Sequence, residues 1–489
     1  MCRTNFGGPS FFGGNVTSAV SNGTVDTSRV DDMVIRIMTP YFWLEQDQGY
    51  PSVDKSSGDL NTFSPISKWT RNYTFTGEVS RDVRADHGAL IRKHGAAGAV
   101  LLKNEKGALP LKKPKNIAVF GNDAGQPTQS SVLNQVNYEY GTLAAGGGSG
   151  TGQFTYLVTP LQALQARAQQ DGGLVQYWLN NTLIANSNIS TLVIPRGVPE
   201  VCIVLLKTWA QEGEDRAHLS NDWHADDVVK SVASYCNNTV VVTHSSGVNT
   251  LPWSNHPNVT AILAAHFPGQ ETGNSLVDLL YGDVNPSGHL PYTIAMNGTD
   301  YNAPPTTAIN TTGFDDWQSY FDEKLEIDYR YFDAHNISVR YEFGFGLSYT
   351  TFNMSSLQLS ALESDITSYP EDLPIQPGGN PALWTPLYNA SVSVTNTGSV
   401  AGAAVPQLYV GLPSSAPSGT PPRQLRGFEK VHLEKGETQT VGFELMRRDL
   451  SYWDIVSQQW VIPEGEFTIY VGFSSRNLVC QDTVTVVGQ

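Results

Sequence analysis

The run Val201-Cys202-Ile203-Val204-Leu205-Leu206 is a short, continuous apolar segment, and Trp209-Ala210-Gln211-Glu212-Gly213-Glu214-Asp215-Arg216 follows it almost directly. A run of this length and composition predicts a buried strand. Ligands of open α/β sheets bind outside the carboxyl ends of such strands. A carboxylate on a glycine-containing loop at that edge is suited to donate a proton to a substrate. The alternative is a solvated acidic loop with no chemical role.

Similar segments surround this run between residues 97 and 300. The other strand candidates are residues 99–102, 117–120, 240–243 and 259–263, and the helical stretches are residues 160–170, 226–235 and 272–280. Short apolar strands that alternate with amphipathic helices predict a mainly parallel sheet covered on both faces. We therefore expect an α/β domain in this part of the chain.

The two ends of the chain follow other patterns. Residues 15–45 carry apolar side chains at helical spacing and predict a helical segment, whereas residues 46–80 are polar and rich in Gly, Ser and Pro. From residue 390 the hydrophobic period becomes two, and residues 390–395, 407–410 and 467–471 are strand candidates. Several short strands with turn signals between them predict a β-sandwich of immunoglobulin or fibronectin type.

Composition and charge narrow the classes of function. The chain has 489 residues, a net charge of −16 and only 16% charged residues. This acidic balance argues against nucleic acid and anionic membranes as partners. No run is long and apolar enough to span a bilayer. The first residues show no signal peptide, so that a secreted protein would have its true N-terminus elsewhere.

Sequons of the form Asn-x-Ser/Thr are dense, and each is a candidate site of N-glycosylation. They begin at Asn15, Asn22, Asn72, Asn180, Asn188, Asn237, Asn258, Asn297, Asn310, Asn336, Asn353 and Asn389. Because these sites are spread along the whole chain, they predict a secreted, extracellular glycoprotein.

The cysteines and a glycine-rich run bear on cofactors. The spacing of the four cysteines matches no metal motif, so we expect no bound metal. Cys202 begins one predicted strand and Cys236 lies just before another, which leaves a disulfide and two buried thiols as alternatives. The glycine-rich run 146–152 lacks the Gly-Lys-Ser/Thr ending of a phosphate loop. We therefore expect a flexible loop over a cleft and no cofactor.

Ordered motifs extend over nearly the whole chain. They lie at residues 10–17, 29–38, 87–92, 100–104, 109–111, 268–274, 278–282, 285–288, 341–350, 395–398, 406–410, 425–428 and 448–450. The most specific strings are Tyr341-Glu342-Phe343-Gly344 and Gly346-Leu347-Ser348-Tyr349-Thr350. Together these motifs resemble the C-terminal portion of glycoside hydrolase family 3 enzymes, and secreted fungal β-glucosidases most of all.

The resemblance implies an enzyme of three parts: a (β/α) barrel, an α/β sandwich and a fibronectin type III-like domain. On this pattern residues 1–45 are the C-terminal remnant of the catalytic barrel and residues 46–85 are a linker. Residues 86–300 form the α/β sandwich that carries the acid/base. Residues 301–384 are a connector, and residues 385–489 form the fibronectin-like domain.

The resemblance also implies a retaining mechanism. One carboxylate attacks the anomeric carbon, and the other protonates the leaving oxygen and then activates water. Glu212 matches the family's acid/base glutamate, and Glu214 is the runner-up. Glu214 is also expected at the aglycone side of the substrate site. Phe6 or Phe11 is expected where the family places an aromatic residue at that site.

The family's nucleophile is an aspartate on the barrel, in a Ser-Asp-Trp motif that would lie upstream of this chain's first residues. A complete barrel needs about 250 residues, whereas only residues 1–45 are assigned to it here. We therefore expect the nucleophile to lie outside this chain. Asn221-Asp222-Trp223 and Asp315-Asp316-Trp317 look similar, but neither lies in barrel context. Asp215 and Arg216 are expected to brace the acid/base loop as an ion pair.

We therefore expect the chain to supply the acid/base half of a β-glucosidase. The substrate would be cellobiose or a related β-glucoside of polysaccharide breakdown, and the partner would be the missing barrel segment. One alternative is a non-catalytic remnant that binds sugar weakly or not at all. Another is a β-xylosidase, because the sugar-selecting residues lie mostly in the absent barrel. The sequence leaves a homodimer open.

Overall fold

The computed structural model describes residues 13–49, 84–127, 139–148, 154–194, 197–213, 216–303 and 321–487. The described residues up to Ala85, with Asp372–Ala382, form one unit. The described residues from Asp86 to Glu371 and from Leu383 onward form the second. None of the helices in these ranges has the length and apolarity that crossing a bilayer requires.

The first unit contains two helices, α1 (Gly14–Ser21) and α2 (Thr27–Trp43). The sequence predicted one helical segment here. The chain breaks between the helices because Gly23 has a φ of +78° and the Asn22 side chain accepts a hydrogen bond from the Thr24 amide. Asp26 then caps α2 by accepting from the Ser28 amide at 2.8 Å.

The second unit is built around a six-stranded sheet. Its strands are β1 (Val100–Asn104), β2 (Asn116–Phe120), β3 (Leu174–Trp178), β4 (Val201–Thr208), β5 (Thr239–Ser245) and β6 (Val259–Ala264). Their order is β1-β6-β5-β4-β2-β3. Strand β1 is antiparallel to β6, and the other five strands are parallel. The predicted mainly parallel sheet is confirmed.

Helices cover both faces of this sheet. One face packs against α3 (His87–Gly98), α4 (Pro160–Asp171) and α8 (Thr272–Tyr281). The other packs against α5 (Asn181–Asn186), α6 (Ile189–Leu192) and α7 (Ala225–Tyr235). Strand β4 shows why both faces are covered, since Ile203 and Leu205 enter the first core and Val204 and Leu206 enter the second. A strand buried on both sides has no polar alternation.

Cys202 and Cys236 form a disulfide between the start of β4 and the residue after α7. Both side chains are fully buried. Of the two alternatives that the sequence left open, the structure therefore contains the disulfide. It closes a segment with a sequence separation of 34 residues that includes the loop after β4 and helix α7.

The specific string Tyr341–Gly344 joins the α/β sandwich to the next domain. It lies at the end of β8 (Val339–Tyr341), which pairs with β7 (Ile294–Ala295). Phe343 stacks on Tyr329 of helix α9 (Tyr329–Ala334), with ring centroids 4.5 Å apart. The Gly344 carbonyl accepts from Gln407 at 2.9 Å. A side chain at Gly344 would collide with Gln407, which explains the glycine.

A buried ion pair strengthens the same junction. Asp333 of α9 accepts from Arg423 at 2.9 Å and from Arg476 at 2.8 Å. The Asp333 side chain is almost fully buried, and both arginines belong to the fibronectin-like domain. The connector is therefore fixed to that domain by charge as well as by the hydrogen bond from Gln407 to the Gly344 carbonyl.

The last domain is a sandwich of two main antiparallel sheets. One has the order β15-β10-β9 and the other β13-β12-β18-β19. The strands are β9 (Phe352–Ala361), β10 (Pro386–Asn396), β11 (Gly402–Ala404), β12 (Gln407–Gly411), β13 (Gln424–Phe428), β14 (Val431–Leu433), β15 (Thr438–Met446), β16 (Tyr452–Asp454), β17 (Gln459–Val461), β18 (Gly465–Gly472) and β19 (Leu478–Val486). Apolar side chains of both sheets form one core. The predicted fibronectin-like sandwich is confirmed.

Strands β3 and β9 are among those that the sequence did not predict. Strand β9 pairs with β10 along its whole length, although it lies in the segment predicted as a connector. The boundary expected at residue 385 therefore divides one sheet. Strand β3 was not predicted at all. Both are edge strands, and their half-exposed patterns lack the continuous apolar run that marks the central strands.

Candidate active site

Glu212 lies on the loop that follows β4, at the carboxyl edge of the parallel strands. The side chain is exposed to solvent. Gly213, the next residue, has a φ of +79°, a conformation that glycine adopts without strain. The structure thus places the predicted acid/base carboxylate at the edge where α/β sheets bind ligands.

The glycine-rich segment lies against this loop. A Cβ atom on Gly147 would lie 2.8 Å from two ring carbons of Trp209. One on Gly148 would lie 2.7 Å from Cβ of Glu212, and the φ of Gly148 is +99°. Only glycine allows so close an approach. The described part of the run that was predicted to lie over a cleft therefore contacts the segment that carries Glu212.

The start of the acid/base loop (residues 209–216) is held by a partly buried carboxylate. Asp222 accepts a hydrogen bond from the Trp209 amide at 2.7 Å, and its own amide donates to the carbonyl of Lys207 at 3.1 Å. Burial raises the pKa of Asp222. Asp222 belongs to Asn221-Asp222-Trp223, one of the two strings that look similar to the Ser-Asp-Trp motif. Here its carboxylate holds the acid/base loop in place.

The end of the loop is held by Arg216. Its Nη1 donates to the Val248 carbonyl at 2.7 Å, and its Nη2 donates to Oδ1 of Asn249 at 2.7 Å. The same Asn249 oxygen accepts from Oγ1 of Thr208, the last residue of β4, at 2.9 Å. One buried amide therefore ties the two ends of the loop together. The ion pair expected between Asp215 and Arg216 stays a prediction, because Asp215 lies outside the described residues. Burial lowers the pKa of the Arg216 guanidinium.

A buried lysine connects β4 to the segment that precedes the glycine-rich run. Nζ of Lys207 donates to the carbonyl of Gly141 at 2.6 Å. The ammonium group also lies 5.2 Å from the centre of the Trp223 ring. Burial lowers the pKa of Lys207 to about 8, although nearby carboxylates, including Asp123, oppose the shift. Sequence reasoning did not identify this residue.

A second buried network was also not predicted. Nδ1 of His244 donates to Oδ2 of Asp123 at 2.5 Å, and Nε2 of His244 is 3.1 Å from Oγ1 of Thr272. Asp123 also accepts from the Leu143 amide at 2.7 Å. This order of groups resembles that of a hydrolase triad, but all three side chains are shielded from solvent. The network therefore braces the strand ends and cannot meet a substrate.

Several of the other site predictions fall on residues that are not described. Those outside the described residues are Glu214, Asp215, Phe6, Phe11, the lookalike at residues 315–317, and the sequon asparagines Asn72 and Asn310. Within the described ranges, no cluster of His, Cys, Asp and Glu side chains is arranged to hold a metal ion.

Two family models match the chain. The Glycosyl hydrolase family 3 C-terminal domain matches residues 99–349. The Fibronectin type III-like domain matches residues 404–475. These ranges coincide with the α/β sheet and its junction, and with most of the β-sandwich.

Similar proteins occur in Aspergillus flavus and Neosartorya fischeri. The chain is 71% identical to "Probable beta-glucosidase G" of Aspergillus flavus, over 98% of this chain and 58% of the relative. It is 69% identical to "Probable beta-glucosidase G" of Neosartorya fischeri, over 96% of this chain and 57% of the relative. The chain therefore spans well under two thirds of the length of these relatives.

Solved structures show the same fold. A Trichoderma reesei protein described as a Beta-D-glucoside glucohydrolase superposes with a TM-score of 0.82 and 38% identity, over 99% of this chain and 64% of that one. A Neurospora crassa protein described as a Glycoside Hydrolase Family 3 beta-glucosidase gives a TM-score of 0.84 and 37% identity, over 97% of this chain and 66% of that one. The chain belongs to glycoside hydrolase family 3.

Proposed function

We propose that this chain supplies the general acid/base of a retaining β-glucosidase, with Glu212 in that role. The observation that carries the proposal is the position of Glu212 on a loop braced at both ends at the carboxyl edge of the sheet. Bracing of this kind supports catalysis, because a proton donor must be held within hydrogen-bond reach of the leaving oxygen. The names of the relatives point to β-glucosides as the substrates.

The nucleophile would come from the portion of the relatives that this chain does not span. The family resemblance expects a catalytic barrel there, with an aspartate that attacks the anomeric carbon. Glu212 would first protonate the leaving oxygen and then remove a proton from water. Loss of the nucleophile and loss of the acid/base should therefore have different effects on the kinetics. Residues 86–300 would carry the acid/base, and the protein would be a secreted glycoprotein.

A chimera tests this role. It joins the preceding portion of the Aspergillus flavus relative to this chain and compares alkyl β-glucosides with aryl β-glucosides that have acidic phenol leaving groups. Glu212→Gln should lower kcat on alkyl glucosides by about 10²–10⁴-fold, the usual contribution of a positioned general acid. Glycosylation of the enzyme by the aryl substrates should change far less, since an acidic phenol needs little protonation.

The runner-up Glu214 provides the matched control. Glu214→Gln should leave the contrast between alkyl and aryl substrates unchanged. Equal losses on both substrate classes for Glu212→Gln would contradict the assignment. A selective loss on alkyl glucosides in Glu214→Gln alone would move the role to Glu214.

A further inference from the structure

The outer face of the fibronectin-like sandwich has a groove that the proposed catalysis does not use. The Asn389 groove has a volume of about 490 Å³. It is lined by Asn389, Gly427, Phe428, Glu429, Gly442, Phe443 and Glu444. Phe428 is 64% exposed in it. Covering an aromatic ring that is this open to water is favourable, because apolar surface is removed from the solvent.

Asn389 is directed outward beside this ring by the register of its strand. The neighbouring residues Ala390 and Val392 of β10 are fully buried in the core. Because side chains alternate along a strand, Asn389 and Ser391 both lie on the outer face. Gly442 of β15 keeps the groove open there, since a Cβ atom at that position would lie 3.6 Å from Oδ1 of Asn389.

The side-chain amide of Asn389 is available for modification. Among the described residues, nothing forms a hydrogen bond with it. Asn258 shows the contrast within the same chain, since its Nδ2 donates to the Ala233 carbonyl at 2.9 Å. The sequon hydroxyl of that site, on Thr260, is also buried. Ser391, the third residue of the Asn389 sequon, is partly exposed.

We propose that Asn389 carries an N-linked glycan whose first N-acetylglucosamine lies in the Asn389 groove against the Phe428 ring. In the transfer, Nδ2 of Asn389 bonds to the anomeric carbon of a lipid-diphosphate-linked oligosaccharide. The bond between that carbon and the diphosphate oxygen breaks. Nδ2 loses one proton, and the lipid diphosphate leaves with the electron pair. This inference requires passage through a secretory pathway, which belongs to the proposed function.

The groove has the chemistry that a hexosamine needs. The apolar C–H face of the sugar covers the exposed ring, as other apolar groups do on aromatic side chains. The carboxylates of Glu429 and Glu444 accept hydrogen bonds from hydroxyl and acetamide N–H groups, which a neutral sugar offers in several directions. Gly442 leaves space that a larger side chain would fill.

The test uses the full 489-residue chain, secreted from a eukaryotic host behind the host's own signal peptide. Glycopeptide mass spectrometry measures whether Asn389 is modified. The host's signal peptide directs secretion, so this result does not depend on whether the protein is secreted naturally. The melting temperature is then measured for the parent, Ser391→Ala, Phe428→Ala and the double variant. Ser393→Ala, on the same strand and face but outside the sequon, is the control.

The expected result is a glycan on Asn389 in the parent and in Phe428→Ala, and none in Ser391→Ala. Phe428→Ala should lower the melting temperature by about 2 °C more in the glycosylated background than in Ser391→Ala. Trimming the glycan to its first sugar should preserve this difference. An unmodified Asn389 would overturn the proposal. Additive changes in melting temperature for Ser391→Ala and Phe428→Ala would overturn it too.

Discussion

Burial of Lys207 makes the stability of the α/β domain depend on pH in the alkaline range. The side chain is only 3% exposed, and burial lowers its pKa from 10.5 to about 8. Between these two values the folded chain has released a proton that the unfolded chain still holds. The free energy of unfolding therefore rises with pH across this window.

The shift sets the size of the effect. A difference of this size between the folded and unfolded pKa corresponds to about 3 kcal/mol when the whole window is crossed. From about pH 7 to about pH 9.5 the gain is about 2 kcal/mol. The contribution is complete only above the unfolded pKa, and it is lost as the pH falls through the folded pKa.

Lys207→Met removes the titration while it keeps the length of the side chain. Urea unfolding is followed by tryptophan fluorescence, since Trp223 lies beside the ammonium group. The parent should gain about 2 kcal/mol relative to Lys207→Met between about pH 7 and about pH 9.5. Lys230→Met is the control, because that side chain is 64% exposed and should show no difference.

The upper limit of pH avoids a competing effect. Burial raises the pKa of Tyr281 from 10.0 to about 12, so ionisation of such tyrosines in the unfolded chain opposes folding above about pH 10. Parallel stability curves for the parent and Lys207→Met would contradict the expected pH dependence. They would mean that the Lys207 amine has the same pKa in the folded and unfolded chains.

Three further outcomes follow from named contacts. Asp333→Asn should lower the free energy of unfolding of the fibronectin-like domain by about 3 kcal/mol in urea titrations, because it leaves the two arginines beside it without their buried partner. Gly148→Ala should lower the activity of the chimera on alkyl glucosides, because the added methyl group lies 2.7 Å from Cβ of Glu212. Replacement of Cys202 and Cys236 by alanine should cost about 2–4 kcal/mol in thermal or urea unfolding.

Each of these variants has a control in the same chain. Asp482→Asn changes an exposed carboxylate of the fibronectin-like domain. Gly98→Ala adds a methyl group with no atom within 4 Å. Cys480→Ala removes the cysteine that, among the described residues, is not in the disulfide. A control that matched its test variant would show that the contact in question has no special effect.

The central strands of the α/β domain could be predicted because each is a continuous apolar run. Strand β4 is buried at every position. Strand β3 is a half-exposed edge strand with Gln176 at its centre, so its pattern resembled a loop. The disulfide could be named only as one alternative, since its geometry depends on how α7 packs beside β4.

The residues of the candidate site also differ in how far the sequence could predict them. Glu212 could be proposed from the sequence because its motif is local. Asp123 and His244 are 121 positions apart in the sequence, and no local pattern predicts a contact over such a separation. A partial signal was present, since Asp123 and His244 are polar residues at the ends of buried strands. Polar side chains at that edge of a sheet are candidates for one network.

The most direct test of the proposed acid/base uses Glu212→Ala in the chimera with dinitrophenyl β-glucoside as substrate. This substrate glycosylates the enzyme without a general acid, and hydrolysis then stalls because no base activates water. Added azide needs no base and attacks the glycosyl-enzyme intermediate from the face that Glu212 has vacated. If Glu212 is the acid/base, azide should speed turnover and β-glucosyl azide should be the product. Turnover that does not respond to azide, or an azide product of the opposite anomeric configuration, would contradict this role.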